Sequence, residues 1–171
     1  FNISPHKTPF VSNMSRDTVH NTFFEWQTDP LAAAATNQQI DGDDLSSFTA
    51  VTPTTRLGTY TQIMRKDFIL ADNLQVINEA GRKSERAYQL VKAGNELKRD
   101  IEWNILQNNY AQAGSTSSAR VTAGLPAYIR TNSSRGTSGA DPTVSSGIVN
   151  AGATNGTQRV FTEAMLTTVV Q

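Results

Sequence analysis

The stretch that decides the fold is "GRKSERAYQLVKAGNELKRDIEWNIL", residues 81–106. Ala87, Leu90, Gly94, Leu97, Ile101 and Ile105 step through it by three or four residues, the spacing of a single helix face. Around them stand oppositely charged pairs at i, i+4: Glu79 with Lys83, Lys92 with Glu96 and Lys98 with Glu102, each contributing about 0.2–0.5 kcal/mol. Upstream, Asp72 and Gln75 in "DNLQ" have capping-box spacing, so a helix is predicted to begin near Asn73. Continued to about Gln112, with Gly81 a point where it can bend, it would hold roughly 40 residues and span ~60 Å. Such a helix is several times the mean length, yet half of residues 81–106 are charged or amide. Its narrow stripe needs another surface to lie on.

Upstream, residues 1–17 carry two prolines and no sustained period, which predicts an extended arm. "TVHNTFFEWQT" then alternates as a strand, with His20, Thr22, Phe24 and Trp26 on one face and Val19, Asn21, Phe23 and Glu25 on the other. Residues 29–56 lack a period, and a loop that long is uncommon in a compact domain unless it serves a function. "LGTYTQIMRKDFIL", residues 57–70, is predicted as a second strand, with Tyr60, Met64, Phe68 and Leu70 roughly on one face. Together these make a two-stranded ribbon with a projecting tip. One pair of strands buries too little apolar surface to stand alone in water.

Downstream, residues 114–157 are rich in Ser, Thr, Gly, Ala and Asn, broken by the apolar island "AGLPAYI" at 123–129. The island is predicted as a short strand or turn, and "TNSSRGTSGADPTVSSG" after it as loop. "FTEAMLTTVVQ" opens a second helix, with Thr162 as N-cap and Phe161 and Leu166 spaced as a hydrophobic staple. No glycine, basic residue or proline closes that helix, so the expectation is a chain cut within a domain.

Composition excludes more than it suggests. Fifteen basic residues balance fifteen acidic ones in 171, so there is no surplus positive field of the kind a nucleic-acid binder uses. The absence of cysteine removes disulfides, thiol nucleophiles and cysteine-ligated metals. No apolar run of about 18 residues and no signal-peptide pattern occur, so the chain reads as soluble, without a membrane partner. His6 and His20 are the only histidines, and neither sits at metal-ligand spacing from a second histidine or carboxylate. "DGDD" at 41–44 lacks the EF-hand order and reads as a turn at a loop tip. Glu96, Asp100 and Glu102 lie among Lys98 and Arg99 and read as solvated ion pairs. Trp26, Tyr60 and Phe68 read as packing residues rather than base-stacking ones. No G-x-S-x-G elbow, phosphate-cradling loop or dinucleotide fingerprint occurs. No catalytic, cofactor-binding or metal residue is assigned, and no enzyme is predicted.

An arm, a projecting ribbon, a long lightly apolar helix and a polar insert all lose stability in isolation, and their common use is contact between subunits. At this point the blocks "PFVSN" (9–13), "FEWQTD" (24–29), "TPTTRLGTYTQI" (52–63), "AGRKSERAYQL" (80–90) and "ELKRDIEWNIL" (96–106) matter together. In that order the chain resembles the major capsid proteins of tailed double-stranded-DNA bacteriophages, which have the Hong Kong 97-type fold. The resemblance runs from Pro9 to about Ile129, and more loosely to "FTEAML" at 161–166.

It implies an α+β fold in four parts: an N-terminal arm (1–17), an extended β-ribbon loop (18–70), a peripheral domain with a spine helix (71–118) and the beginning of an axial domain (119–171). The family further implies a longer chain with no catalytic residues. Its subunits build hexamers and pentamers of an icosahedral shell around phage DNA, assembled in the host bacterial cytoplasm, with scaffolding, portal or decoration proteins as further partners. Some relatives lock their shells with a lysine-to-asparagine bond, but residues 29–56 contain no lysine, so a non-covalent shell is expected. Two alternatives share several of these features: a flagellin-like filament subunit, which needs heptad helices at the chain ends that residues 1–40 lack, and a cellular nanocompartment shell protein of the same fold.

Overall fold

The computed structural model describes residues 8–44, 47–76, 81 and 84–170. The architecture is α+β: four helices, a short 3-10 turn and a four-stranded sheet among the described residues.

The long helix is real but shorter than its periodicity suggests. It is divided into α2 (Asp72–Val76) and α3 (Glu85–Leu106), which at 22 residues spans ~33 Å. Two local causes divide it. Gly81 sits at φ +86°, outside the helical region, and Ser84 is extended and caps α3 with its own hydroxyl, accepting the Ala87 N–H at 3.3 Å. The first helix begins on Asp72 itself, one residue earlier than the capping-box spacing indicates.

At the far end α3 stops at Leu106 rather than Gln112, because residues 107–112 find better partners outside a helix. The Asn108 amide donates to the Ala153 carbonyl at 2.6 Å and its oxygen accepts the Ala153 N–H at 3.0 Å. Ala111 N–H bonds the Val149 carbonyl at 2.9 Å, and Gln112 exchanges both backbone bonds with Val121. Tertiary hydrogen bonds here override helix propensity.

Strand β1 (Phe23–Thr28) pairs antiparallel with β2 (Thr55–Tyr60), Phe23 opposite Tyr60 and Thr28 opposite Thr55. Both strands are shorter than their alternation predicts: residues 18–22 and 61–70 lie outside the ladder. The ribbon does not stand alone. A hairpin of β3 (Thr143–Ser145) and β4 (Ile148–Ala151) completes the sheet in the order β1-β2-β4-β3, with β4 parallel to β2 at Gly58 and Ile148.

Strand β3 and the turn of this hairpin lie in the stretch expected to be loop. Ser146 and Gly147 both have positive φ, 51° and 79°, the two-residue turn that matches the twist of a hairpin. The Gly147 carbonyl then accepts the Gly58 N–H at 2.8 Å.

The core lies where β4, the 111–123 segment and the 3-10 turn Leu125–Tyr128 meet. Its buried apolar residues are Ala111, Ala123, Ala127 and Val149, with Tyr60, Tyr128, Val144 and Ile148 packed around them. Three alanines and a valine make a small centre, so backbone approach replaces side-chain bulk. Gly124 shows this most sharply: a Cβ there would overlap the Gln107 carbonyl, while its N–H bonds the Asn109 carbonyl at 3.0 Å. Thr59, 3% exposed, accepts the Ala123 N–H, and Thr122 donates to the Tyr60 carbonyl at 2.6 Å. These bonds fix the base of the ribbon to the core.

The arm also differs from expectation. Pro9–Asn13 forms a short helix, α1, beside α3, with proline at its first position where the missing N–H costs nothing. Residues 1–7 lie outside the described residues. At the other end α4 (Glu163–Val170) forms where expected, with the Thr162 carbonyl accepting from Met165 and Leu166.

Candidate assembly surface

The residues considered for chemistry are held in structural contacts. Glu96, Asp100 and Glu102 of α3 go to three different partners. Glu96 pairs with Lys92 at 3.8 Å, as the helical spacing predicts. Asp100 reaches out of the helix to the Lys66 ammonium at 2.8 Å, and that hydrogen bond holds the Lys66 pKa above its ordinary value.

Glu102 does not pair with Lys98; its carboxylate accepts the Val11 N–H at 3.3 Å and so ties α1 to α3. The Glu79 and Lys83 pair falls outside the described residues, as does His6. His20 is exposed, ahead of β1. Asp41 and Gly42 form a turn, with Gly42 at φ +82° and the Asp43 N–H on the Ile40 carbonyl at 3.1 Å.

Trp26 and Tyr60 are packing groups. Phe23 lies 4.9 Å from Tyr60, and Trp26 lies between Phe24 (5.9 Å) and Tyr128 (5.4 Å). Burial pushes the Tyr128 phenol up in pKa, with the Thr59 hydroxyl nearby opposing it, and no hydrogen-bond partner for that phenol stands within bonding geometry among the described residues. Phe68 is 42% exposed. Among the described residues no helix is long and apolar enough to cross a membrane.

What the structure does present is uncovered apolar surface. At the ribbon tip, residues 29–54, Leu31 and Val51 are more than nine-tenths exposed, and Ile40 and Phe48 more than four-fifths. Ile63 and Ile69 are exposed beyond β2, and Val160 and Phe161 ahead of α4.

The stripe of α3 is half-covered. Leu97, Ile101 and Ile105 line a cleft of about 400 Å³ against Gln62, Met64 and Ala123, but Leu90 lies outside that cleft and is 64% exposed. The sequence placed these residues in a long loop and on a helix face; their exposure was not legible, because it depends on what else the fold brings near.

The total is decisive. A compact monomer of this mass exposes about 8,200 Å² and its unfolded chain about 27,000 Å², whereas this chain exposes 14350 Å². It buries about half of its unfolded surface, against the roughly 70% usual for a self-sufficient domain of this length.

A small core with much apolar surface left open is the character of a structural protein rather than of a self-sufficient domain. Residues 1–171 match the family described as SU10 major capsid protein, and the chain belongs to that family. It is also similar to the major capsid protein of Escherichia phage Phieco32, at 37% identity over 105 residues, covering 61% of this chain and 30% of that protein. The chain thus spans about a third of the length of the curated relative it matches. The family is one of phage capsid proteins rather than of filament or nanocompartment subunits, and the role it indicates is structural.

Proposed function

We propose that this chain is the shell-forming portion of a phage major capsid protein, which self-assembles into the icosahedral capsid enclosing double-stranded DNA. The observation that carries this is the accessible surface, well above that of a compact monomer and concentrated at the ribbon tip and the helix flank. We assign the fold as Hong Kong 97-type, with residues 1–17 as the arm, 18–70 as the extended ribbon, 71–118 as the peripheral domain around α3, and 119–171 as the beginning of the axial domain. The ribbon leaving the sheet, the helix packed beside it and the hairpin whose β4 braces β2 support that assignment.

The subunits meet as hexamers and pentamers of the shell, formed in the host bacterial cytoplasm, with scaffolding, portal or decoration proteins as further partners. DNA is enclosed without sequence-specific contact, and no catalytic, cofactor or metal residue is assigned.

Negative-stain microscopy of the full-length protein tests this. Closed shells or hexameric sheets are expected; a monodisperse small globule would sink the proposal. Because the tip has no lysine, purified particles should give monomer bands on denaturing electrophoresis. A covalent ladder would show that the shell is locked chemically.

A further inference from the structure

Asn155 and Gly156, the one Asn-Gly pair in the chain, lie in a backbone clasp where residues 154–157 run against 136–140. Gly136 N–H bonds the Asn155 carbonyl at 2.9 Å, and Thr157 N–H bonds the Thr137 carbonyl at 2.9 Å. Between them Ala140 and Thr154 exchange both backbone bonds, at 3.1 and 2.9 Å. The clasp admits only glycine at 156: its φ is +72°, and a Cβ there would stand 2.5 Å from the Gly139 nitrogen and 2.6 Å from the Gly136 carbonyl oxygen.

This packing leaves the pair chemically open. Asn155 is exposed, and among the described residues neither its side-chain amide nor the Gly156 N–H has a hydrogen-bond partner. Gly156 has no side chain to screen its nitrogen. Other asparagine amides of this region are held: Asn108 bonds the carbonyl and the N–H of Ala153 at 2.6 and 3.0 Å, and Asn150, followed by Ala151, accepts the Thr143 hydroxyl at 2.7 Å.

We propose that Asn155–Gly156 is a self-modification site, at which the chain converts the Asn155 amide to a carboxylate with water as the only co-reactant. The Gly156 nitrogen gives its proton to base and attacks Cγ of Asn155, closing a five-membered ring in which nucleophile and target are already tethered. The Cγ–Nδ2 bond breaks, and the amide nitrogen takes up a proton and leaves as ammonia. Water then opens the cyclic imide at either carbonyl, giving aspartate or isoaspartate without oxidation or reduction.

The surroundings suit the product. In isoaspartate the chain runs through the side chain, so the oxygen that accepts the Gly136 N–H becomes part of a free carboxylate and the bond becomes charge-assisted. The new charge falls where residues 130–159 carry three arginines against Asp141 alone. Arg135 is paired with that aspartate, and Arg159 donates to the Ser134 hydroxyl at 2.7 Å. The modification does not depend on the shell function proposed above.

The test follows the amide directly. Purified full-length protein is held warm at mildly alkaline pH, and samples are digested at acidic pH and mapped by mass spectrometry. Asn155 should gain the mass of an amide-to-acid exchange several-fold faster than Asn150 or any other asparagine, and faster at alkaline than at acidic pH. Two products of equal mass that separate by chromatography are expected. Intact subunits should show a matching acidic shift on isoelectric focusing, lost in Asn155→Gln. Conversion no faster than at Asn150 overturns the site. Conversion confined to protein unfolded in denaturant overturns it too, because the native clasp would then protect the pair. Aspartate alone, with no isoaspartate, overturns the cyclic route.

Discussion

The two ends of the ribbon are opposite solutions to one problem. At its base, Gly58 and Thr59 are buried, the Gly58 N–H is held by Gly147, and Ala123 and Thr122 bond to Thr59 and Tyr60. At its tip, apolar side chains stand almost fully in solvent and no strand pairing holds residues 29–54 among those described. The base is built from small residues that let backbones meet, and the tip from larger ones with nothing to meet. A two-stranded ribbon is marginal by itself, so the chain anchors one end on its own core and leaves the other uncovered.

This contrast can be broken most severely at Gly124. A side chain there has no room beside the Gln107 carbonyl, so Gly124→Val should destabilise the subunit by about 3 kcal/mol, the upper part of the overpacking range; chemical denaturation would register it. Near-native stability would mean that the close approach is not essential.

Next in size is a matched pair. Val149 is fully buried, and Val149→Ala should cost about 2 kcal/mol. Val51 is 93% exposed, and Val51→Ala should change subunit stability by no more than about 0.5 kcal/mol while raising the protein concentration needed for assembly. Equal stability losses at the two sites would erase the distinction between base and tip.

Removing the cap that separates α3 from α2, by Ser84→Ala, should cost about 1 kcal/mol, read as a lower thermal midpoint. The smallest effect concerns pH. Arg135, and then Ser133, hydrogen-bond Asp141 and hold its carboxyl below its ordinary value. A depressed folded pKa stabilises the protein above the unfolded carboxylate range and loses that contribution as pH falls through the folded value. The midpoint difference between the native chain and Asp141→Asn should therefore shrink from neutral pH to below about pH 4. A constant difference would locate the stabilisation elsewhere.

Several elements were legible in the sequence because their signals are local. The three-and-four spacing from Leu90 to Ile105, the paired alternation around Trp26 and Tyr60, and the Thr162 start of α4 all name structures that formed. Where expectation failed, a distant partner intervened. Asn108 and Ala111 left the helix for Ala153 and Val149, and Glu102 left Lys98 for the Val11 N–H. The β3–β4 hairpin was hidden because its strands are only three and four residues long, too short for alternation to rise above a polar background.

By itself, then, the sequence determined that there would be a spine, a ribbon and an acidic lysine-free tip, since periodicity and charge are properties of neighbours along the chain. Only the tertiary structure decided that β4 braces the ribbon, that Gly124 closes the core, and that half of the α3 stripe is left bare. Those outcomes depend on which residues far apart in the chain come within a few ångströms, and no local pattern carries that distance.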